Sequence, residues 1–393
     1  MLRYWDTLIV QSALQEPTVL HAVLALSCVH RSGSNGVRGW SYSALSHYTV
    51  AISRLRRHLN EHDTDQARLL VLVACLAFIS YDYLQGDFES AVTHLQNGIR
   101  VLRESSFVCE FDGRLTLSSI ASPAEQDVFR ALARQNLLVG LFYLDGGQTP
   151  CVSFDLERLE QKHSDKHFVD LPAAWDALEL ILNDVLCHVS RCRSDGFNLP
   201  SGCSGYVVDL QTGIETRLAE CYRAFEDSGL DKRVDLRQIV LYHLLHMWYD
   251  MTTILASAAM QSDTYIDHFD TFQSIVKHAT ISRELRLSAT PLPTKEGLEF
   301  NMSHSLVDVG WIPPLCYAAT KCHDVGLRLR AIELIESAAH REGIWDSRMA
   351  ASRAKEWLQK EGAKEKCKSI TPYEAYSTQH EAVLALECLF SVI

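Results

Sequence analysis

The sequence predicts an all-α protein, and three observations lead to that fold class. Apolar residues recur at spacings of three and four over most of the chain, which is the period of a helix with one buried face. No convincing run alternates apolar and polar residues with the period of two that strands show. Glycine (19 residues) and proline (10 residues) are sparse among 393 residues, unlike the turn-rich composition of all-β chains. We therefore expect an irregular helical array of antiparallel helix pairs.

The first quarter of the chain contains four predicted helices. They cover residues 18–30, 42–59, 66–84 and 88–103. The serines and glycines after Arg31 are expected to end the first helix. The second helix has one apolar face, formed by Leu45, Tyr48, Ile52, Leu55 and Leu59. The third is apolar almost all round, so we expect it in the centre of the molecule.

The third and fourth helices resemble one tetratricopeptide helical hairpin. A turn at Gln85, Gly86 and Asp87 separates them, and the small residue Ala91 allows the two helices to approach closely. No second copy occurs at a fixed period, so a regular solenoid is not predicted.

Loops and further helices are predicted after residue 104. Residues 105–121 and 195–205 are expected to be loops, and Pro123 lies at the first turn of a helix over 124–144. Later helices are predicted over 172–191, 207–227, 233–260, 263–287, 304–322, 325–340, 346–361 and 373–391.

We interpret residues 1–393 as a single helical domain, with the polar stretch 148–170 as a candidate junction between subdomains. The helices over 66–84, over 233–260 and after Pro314 carry the most apolar and aromatic residues. We expect these three helices to pack together in the centre.

Composition argues against several classes of partner. The net charge is −12, whereas nucleic-acid-binding surfaces are positive, so poor affinity for nucleic acid is expected. Arg54, Arg56 and Arg57 are the local exception, and they suit either the end of a helix or a polyanion site. No two of the 12 cysteines are spaced C-x-x-C, so no metal or cofactor is predicted. The cysteines are expected to be reduced and mostly buried.

No secretory signal is visible at the N-terminus. The longest apolar run, residues 69–79, is too short to cross a bilayer. The sequence therefore predicts an intracellular protein, nuclear or cytoplasmic, that does not bind membranes.

Four segments, in the same order along the chain, carry a resemblance to a known family. The first three are WDTLIVQSALQEPTVLHAVLAL from Trp5, YTVAISRL from Tyr48 and YLQGDFESAVTHLQNGIR from Tyr83. The fourth is LVDVGWIPPLCYAATKCHDVGLRLRAIELI from Leu306, followed by REGIWDS from Arg341. Together they resemble the regulatory (middle homology) domain of fungal zinc binuclear-cluster transcription factors.

The resemblance implies an all-helical regulatory domain with dimer or partner contacts and a capacity to sense metabolites. It also implies a link to secondary-metabolite gene clusters. No residue matches the six-cysteine module that reads DNA in this family, so direct nucleic-acid binding is not expected. The partners that it implies are a small metabolite, another protein or a second copy of the chain.

The fourth segment has a structural interpretation as well. Pro313 and Pro314 suit the start of a helix, because the first turn leaves its N–H groups unpaired and proline has none. Asp324 is expected to cap the next helix, and Asp346 or Ser347 the one after it.

The sharpest candidate site is formed by His243, His246 and Asp250. On a helix these residues lie at i, i+3 and i+7, on about one face. Two imidazoles and a carboxylate suit acid–base chemistry or a ligand pocket, and less well a metal, since two-histidine helical metal sites use i, i+4 spacing. The alternative is a packed amphipathic helix. We expect at least one of the two histidines to line a central pocket.

Tyr81 and Asp82 are further ligand-binding candidates at the end of the most buried helix. Asp82 is interpreted either as a ligand anchor or as the solvated end of that helix. His304 and Asp308 form either an acid–base pair or a helix-start contact. No catalytic motif of known type is present.

Two functions of different classes follow. The first is a transcription-regulator-like protein without a DNA-binding module, acting through protein contacts or a bound small metabolite. The alternative is a cofactor-free secondary-metabolite enzyme (a cyclase, isomerase or dehydratase) on the same helical domain, with its acid–base groups in an interior pocket.

Overall fold

Helices make up most of the described chain. The structure, a computed structural model, describes residues 4–35, 39–61, 64–111, 113–144, 152–156, 167–194, 204–230, 235–259, 262–289, 310–337 and 339–369. The helices of the N-terminal half are α1 (Ile9–Gln15), α2 (Pro17–Asn35), α3 (Gly39–Glu61), α4 (Asp65–Gln85), α5 (Phe88–Arg103), α6 (Pro123–Phe142) and α7 (Leu171–Ser194). Those of the C-terminal half are α8 (Ser204–Asp227), α9 (Leu236–Ser257), α10 (Phe269–Ala289), α11 (Ile312–Lys321), α12 (Val325–Glu336) and α13 (Ser347–Ser369). The predicted all-α array is confirmed.

Consecutive helices pack in pairs, as expected. The pairs are α2 with α3, α4 with α5, α7 with α8, α9 with α10, and α11 with α12. In the α4–α5 hairpin, Gly86 has a φ of +82°, which favours glycine, and it ends α4. Asp87 then caps α5 by accepting a hydrogen bond from the Ser90 N–H (3.1 Å). Ala91 is fully buried between the two helices.

Several helix boundaries differ from the predicted ones. The first helix continues to Asn35 and does not end at the serines and glycines, which weaken a helix without breaking it. The helix predicted over 263–287 is divided into a 3₁₀ segment, Ser262–His268, and α10. A π-helical turn, Tyr4–Leu8, precedes α1.

The loop prediction for residues 105–121 was wrong. That stretch contains an antiparallel hairpin of β1 (Val108–Phe111) and β2 (Arg114–Leu117). A third strand, β3 (Ser153–Asp155), runs parallel to β2. Strands of three or four residues are too short for a period of two to be recognised in the sequence.

Two buried asparagines hold β3 in place. The Asn136 side chain donates to the Val152 carbonyl (2.8 Å) and accepts from the Val152 N–H (3.0 Å). Asn183 donates to the carbonyl of Phe154 (2.7 Å). The rest of the segment 148–170 lies largely outside the described residues, so the subdomain junction and the single domain over 1–393 stay predictions.

The central packing differs from the expectation. Every residue of α4 from Leu70 to Leu84 is buried, and so is every residue of α11 from Ile312 to Thr320. However, α4 packs mainly against α2, α5 and α6, whereas α9 packs against α10, α7, α8 and α11. All three helices contribute to one buried core, but the main contacts of α4 are with helices other than α9 and α11.

The apolar character of α4 also bears on membranes. Among the described helices, α4 is the one whose length and hydropathy suit a membrane span, and 89% of its most apolar stretch is buried inside the protein. This degree of burial is typical of a core helix. Six cysteines are buried: Cys28, Cys75, Cys187, Cys192, Cys316 and Cys322.

A buried carboxylate organises the C-terminal part. Strands β4 (Arg341–Glu342) and β5 (Trp345–Asp346) form a short hairpin. The fully buried Glu342 accepts from the N–H groups of Trp311 (3.1 Å) and Ile312 (2.7 Å), and it pairs with His340 (2.9 Å). The same hairpin reaches α4, because the Arg341 guanidinium donates to the Leu84 carbonyl (2.6 Å). The helix predicted over 373–391 lies outside the described residues.

Candidate functional site

The predicted histidine site lies where α8, α9 and α10 meet. His243, His246 and Asp250 share one face of α9, as the spacing predicted. Two residues that the sequence analysis did not single out complete the group: Glu226 on α8 and His278 on α10. We call these five side chains the imidazole cluster.

Three imidazole rings are in direct contact. The Nδ1 atoms of His243 and His278 are 2.8 Å apart, so one ring donates a proton and the other accepts it. The ring of His246 stacks on that of His278, with 4.4 Å between centroids and 15° between planes. A protonated His243 or His246 would repel a charged His278.

Burial and nearby positive charges oppose protonation of His243 and His278. The pKa of His278 is lowered to about 3, first by burial and then by the charges of His246 and His243. The pKa of His243 is lowered by burial and then by Lys277. A neutral ring of His278 or His243 can accept a hydrogen bond at one nitrogen and donate one from the other.

A carboxylate and two phenols connect the cluster to the surface. Oε1 of Glu226, which is exposed, lies 3.1 Å from Nε2 of His246, which is buried. The Tyr242 hydroxyl donates to the same carboxylate (3.4 Å), and the Tyr222 hydroxyl lies 3.4 Å from Nδ1 of His246. A molecule that binds Glu226 at the surface would therefore contact the carboxylate that pairs with the buried His246 ring.

Asp250 is the buried carboxyl group of the cluster. Its pKa is raised to about 7, mainly by burial and further by the negative charge of Glu226, while a hydrogen bond with Ser274 opposes the shift. At neutral pH this group exchanges a proton readily, which is the property required of a general acid or base.

Aromatic rings enclose the inner side of the cluster. Phe225 packs against His246 (4.9 Å between centroids) and stacks on Tyr249 (5.3 Å). Two cavities bounded by described residues lie elsewhere, one of about 20 Å³ beside Met251 and one of about 410 Å³ between α1 and α4. Neither is lined by His243 or His246, so a ligand contact of these histidines stays a prediction.

Tyr81 and Asp82 belong to a second polar group, formed with α3 and α5. The Tyr81 ring stacks on Tyr48 (4.5 Å between centroids), and the Tyr48 hydroxyl lies 3.0 Å from Nε2 of His94. The same nitrogen lies 3.6 Å from Oδ2 of Asp82.

The interpretation of Asp82 as a solvated helix end was wrong, because only 4% of the residue is exposed. Burial, followed by the charge of Asp87, raises the pKa of Asp82 to about 7. The predicted site residues thus have different partners: Tyr81 and Asp82 contact α3 and α5, whereas the α9 residues contact α8 and α10.

Four members of the two groups were not predicted from the sequence. They are His278 and Glu226 in the imidazole cluster, and His94 and Tyr48 beside Tyr81 and Asp82. Each partner lies on another helix, and helical spacing does not report which faces of two helices meet. Within the described residues no three His, Cys, Asp or Glu side chains are arranged to hold a metal ion. His304 and Asp308 lie outside the described residues.

Comparison with known proteins identifies the family. The family model of the fungal specific transcription factor domain matches residues 2–356, and no DNA-binding domain is detected. No curated protein and no solved structure matches the chain significantly. Because the match covers nine tenths of an all-helical chain, the protein belongs to the family of the fungal specific transcription factor domain.

Proposed function

We propose that the protein regulates transcription by responding to a small metabolite or a partner protein, and that the imidazole cluster is its sensing element. One observation carries the proposal: five ionisable side chains converge where three helices meet, against aromatic rings. Buried ionisable groups seldom stabilise a fold more than apolar residues of the same size would. Groups with strongly perturbed pKa values concentrate at functional sites.

The geometry supports a way in which a signal changes the domain. A ligand that hydrogen-bonds to His243 competes with His278 for the shared proton, and a partner that binds Glu226 withdraws the carboxylate from His246. The first event alters the contact between α9 and α10, and the second alters the contact between α8 and α9. A ligand or partner that binds one conformation more tightly than the other shifts the protein towards the first conformation. We place this activity in the nucleus, with genes of secondary metabolism as its targets.

A second candidate function is a cofactor-free acid–base enzyme. Asp250 favours it, because a buried carboxyl group with a pKa of about 7 suits proton transfer. Such an enzyme requires a cavity at the cluster through which substrate reaches Asp250. The aromatic packing around His246 favours the regulator over the enzyme.

Transcript and metabolite profiles of the same cells separate the two functions. The chromosomal gene is deleted, or replaced by His243→Gln or His278→Gln, and protein abundance is matched by immunoblot. For a regulator we expect a discrete set of transcripts to change in the deletion strain and in both variants. For an enzyme we expect a metabolite to disappear while transcript levels stay constant.

The control is His47→Gln. His47 forms an imidazole pair with His21 of the same geometry, with Nδ1 atoms 2.8 Å apart, but on α2 and α3. We expect this variant to leave the transcripts unchanged. A deletion strain with unaltered transcripts contradicts the regulator. A change in His47→Gln equal to that in the cluster variants contradicts the role of the cluster.

A further inference from the structure

A cleft of about 410 Å³ separates α1 from the first half of α4. Small-molecule sites in proteins typically measure about 300–1,000 Å³, so the cleft is of the size that a small ligand occupies. His58, near the end of α3, closes one side. The cleft has no residue in common with the imidazole cluster.

One wall of the cleft is apolar and belongs to α4. Leu69, Leu70 and Val73 contribute to this wall, and Leu8 extends it from the turn that precedes α1. Leu69 and Leu8 are only partly buried, so they leave apolar surface uncovered at this point. Such a surface gains free energy when an apolar body replaces water against it.

The opposite wall is polar but uncharged along most of its length. Gln11, Ser12 and Gln15 of α1 face the cleft, and Gln66 does so from the start of α4. These residues recur on α1 at spacings of three and four, the face on which a helix beside a core normally carries apolar side chains. Amides here do not fill the space against α4, and they offer both donors and acceptors of hydrogen bonds.

The charges around the cleft select the kind of ligand. Among the described lining residues there is one carboxylate, Glu16, and there is no lysine or arginine. Among these described residues an anion would find no permanent cation, only the imidazole of His58, and a charged group moved out of water without a partner costs much free energy. The whole chain also carries a net charge of −12.

We propose that this cleft binds an uncharged amphipathic small molecule. Its apolar side lies on Leu69 and Leu8, and its carbonyl or hydroxyl groups bond to the amides of Gln11, Gln15 and Gln66. The bound molecule joins α1 to α4 and stabilises the folded state in proportion to its occupancy. The site is independent of the imidazole cluster, so the two proposals stand or fall separately.

Two dyes with one scaffold test the chemical class. N-phenyl-1-naphthylamine is neutral, and 1-anilinonaphthalene-8-sulfonate adds a sulfonate to the same ring system. With the full 393-residue chain we expect the neutral dye to bind saturably, with enhanced and blue-shifted fluorescence. The sulfonate is expected to bind at least about tenfold more weakly. Equal affinities, or tighter binding of the sulfonate, overturn the proposed class.

Tryptophan substitutions locate the binding site. Ser12→Trp fills the cleft from α1 and should weaken binding of the neutral dye by at least about tenfold. The matched control is Val10→Trp, because Val10 lies on the same helix and is half exposed. We expect the control to bind the dye like the unaltered protein.

Gln66→Trp fills the cleft from the exposed start of α4 and serves if Ser12→Trp does not give a wild-type circular-dichroism spectrum. Unchanged binding in the cleft-filling variant overturns the site. A loss in Val10→Trp as large as that in Ser12→Trp also overturns it, because the dye would then follow the surface of α1 and not the cleft.

Discussion

Two buried aspartates, Asp82 and Asp250, behave alike although they lie in different parts of the molecule. Each has a pKa raised to about 7, first by burial and then by another carboxylate nearby. Asp82 also lies beside His94, whose pKa is lowered mainly by burial. The interior of the protein therefore contains carboxyl groups that change charge close to neutral pH.

The pH dependence of stability should report Asp250. Its pKa is about 7 in the folded state and 3.8 ordinarily, so the folded state binds more protons between these values. The stability that the neutral carboxyl contributes is present below the lower value and is lost as the pH rises through the upper one. Asp250→Asn imitates the neutral form. We expect it to stabilise the protein by about 1–2 kcal/mol at about pH 8 and to have little effect at about pH 4.

Urea unfolding at the two pH values measures this difference. The control is Asp209→Asn, an exposed position on α8, which should change stability by less than about 0.5 kcal/mol at both. An equal effect of Asp250→Asn at both pH values, or a loss of stability at the higher one, contradicts the assignment.

Residue types and their spacing along one helix could be predicted, as His243, His246 and Asp250 demonstrate. Their partners could not, because His278 is 32 residues beyond His246 and no spacing rule links two helices. The charge state of Asp82 could not be predicted either. The sequence shows an aspartate at a helix end, but only the packing of α3 and α5 shows that water is excluded from it.

The start of α11 illustrates how an element is completed. The first N–H groups of a helix have no partner within the helix. Here Trp311 and Ile312 donate to the carboxylate of Glu342, and the next two residues are prolines, which have no N–H. Leu315 then donates to the Trp311 carbonyl (3.2 Å). The sequence predicted the role of the prolines but not that of Glu342.

Gly310→Ala should disrupt this arrangement. A Cβ at residue 310 would overlap the carboxyl group of Glu342, which is fully buried and cannot move into solvent. We expect a loss of on the order of 2–4 kcal/mol in the free energy of unfolding, measured by urea denaturation. Gly213→Ala is the matched control, since nothing lies within 4 Å of a Cβ at this exposed position on α8. It should be neutral or stabilising by up to about 1 kcal/mol. Equal effects of the two substitutions would contradict the role given to Glu342.

Helix caps were predicted better than strands. Asp324 accepts from the Leu327 N–H (2.7 Å), and Asp346 accepts from the N–H of Arg348 (2.9 Å), as their positions indicated. A cap is a local interaction within about four residues, so the sequence contains all of it. The strands were missed because β3 pairs with β2 from 39 residues further along the chain.

The charge of the whole molecule determines its behaviour towards nucleic acid. With a net charge of −12, we expect the purified chain not to bind duplex DNA specifically at near-physiological salt. An electrophoretic mobility-shift assay with excess competitor DNA tests this. A shift that survives the competitor contradicts the prediction. In that case Arg54, Arg56 and Arg57, which are exposed on α3, are the first residues to substitute.

The hydrogen bond from Arg341 to the Leu84 carbonyl has a consequence for how the chain is made. It joins residues 257 positions apart, at the point where Gly86 leaves just enough room for the guanidinium. On the ribosome, α4 emerges long before Arg341 exists, and contacts so distant in sequence form late and slowly. We therefore expect the nascent N-terminal half to lack this hydrogen bond until synthesis is nearly complete. We expect a polypeptide that stops short of Arg341 to be less stable and more readily degraded than the full chain.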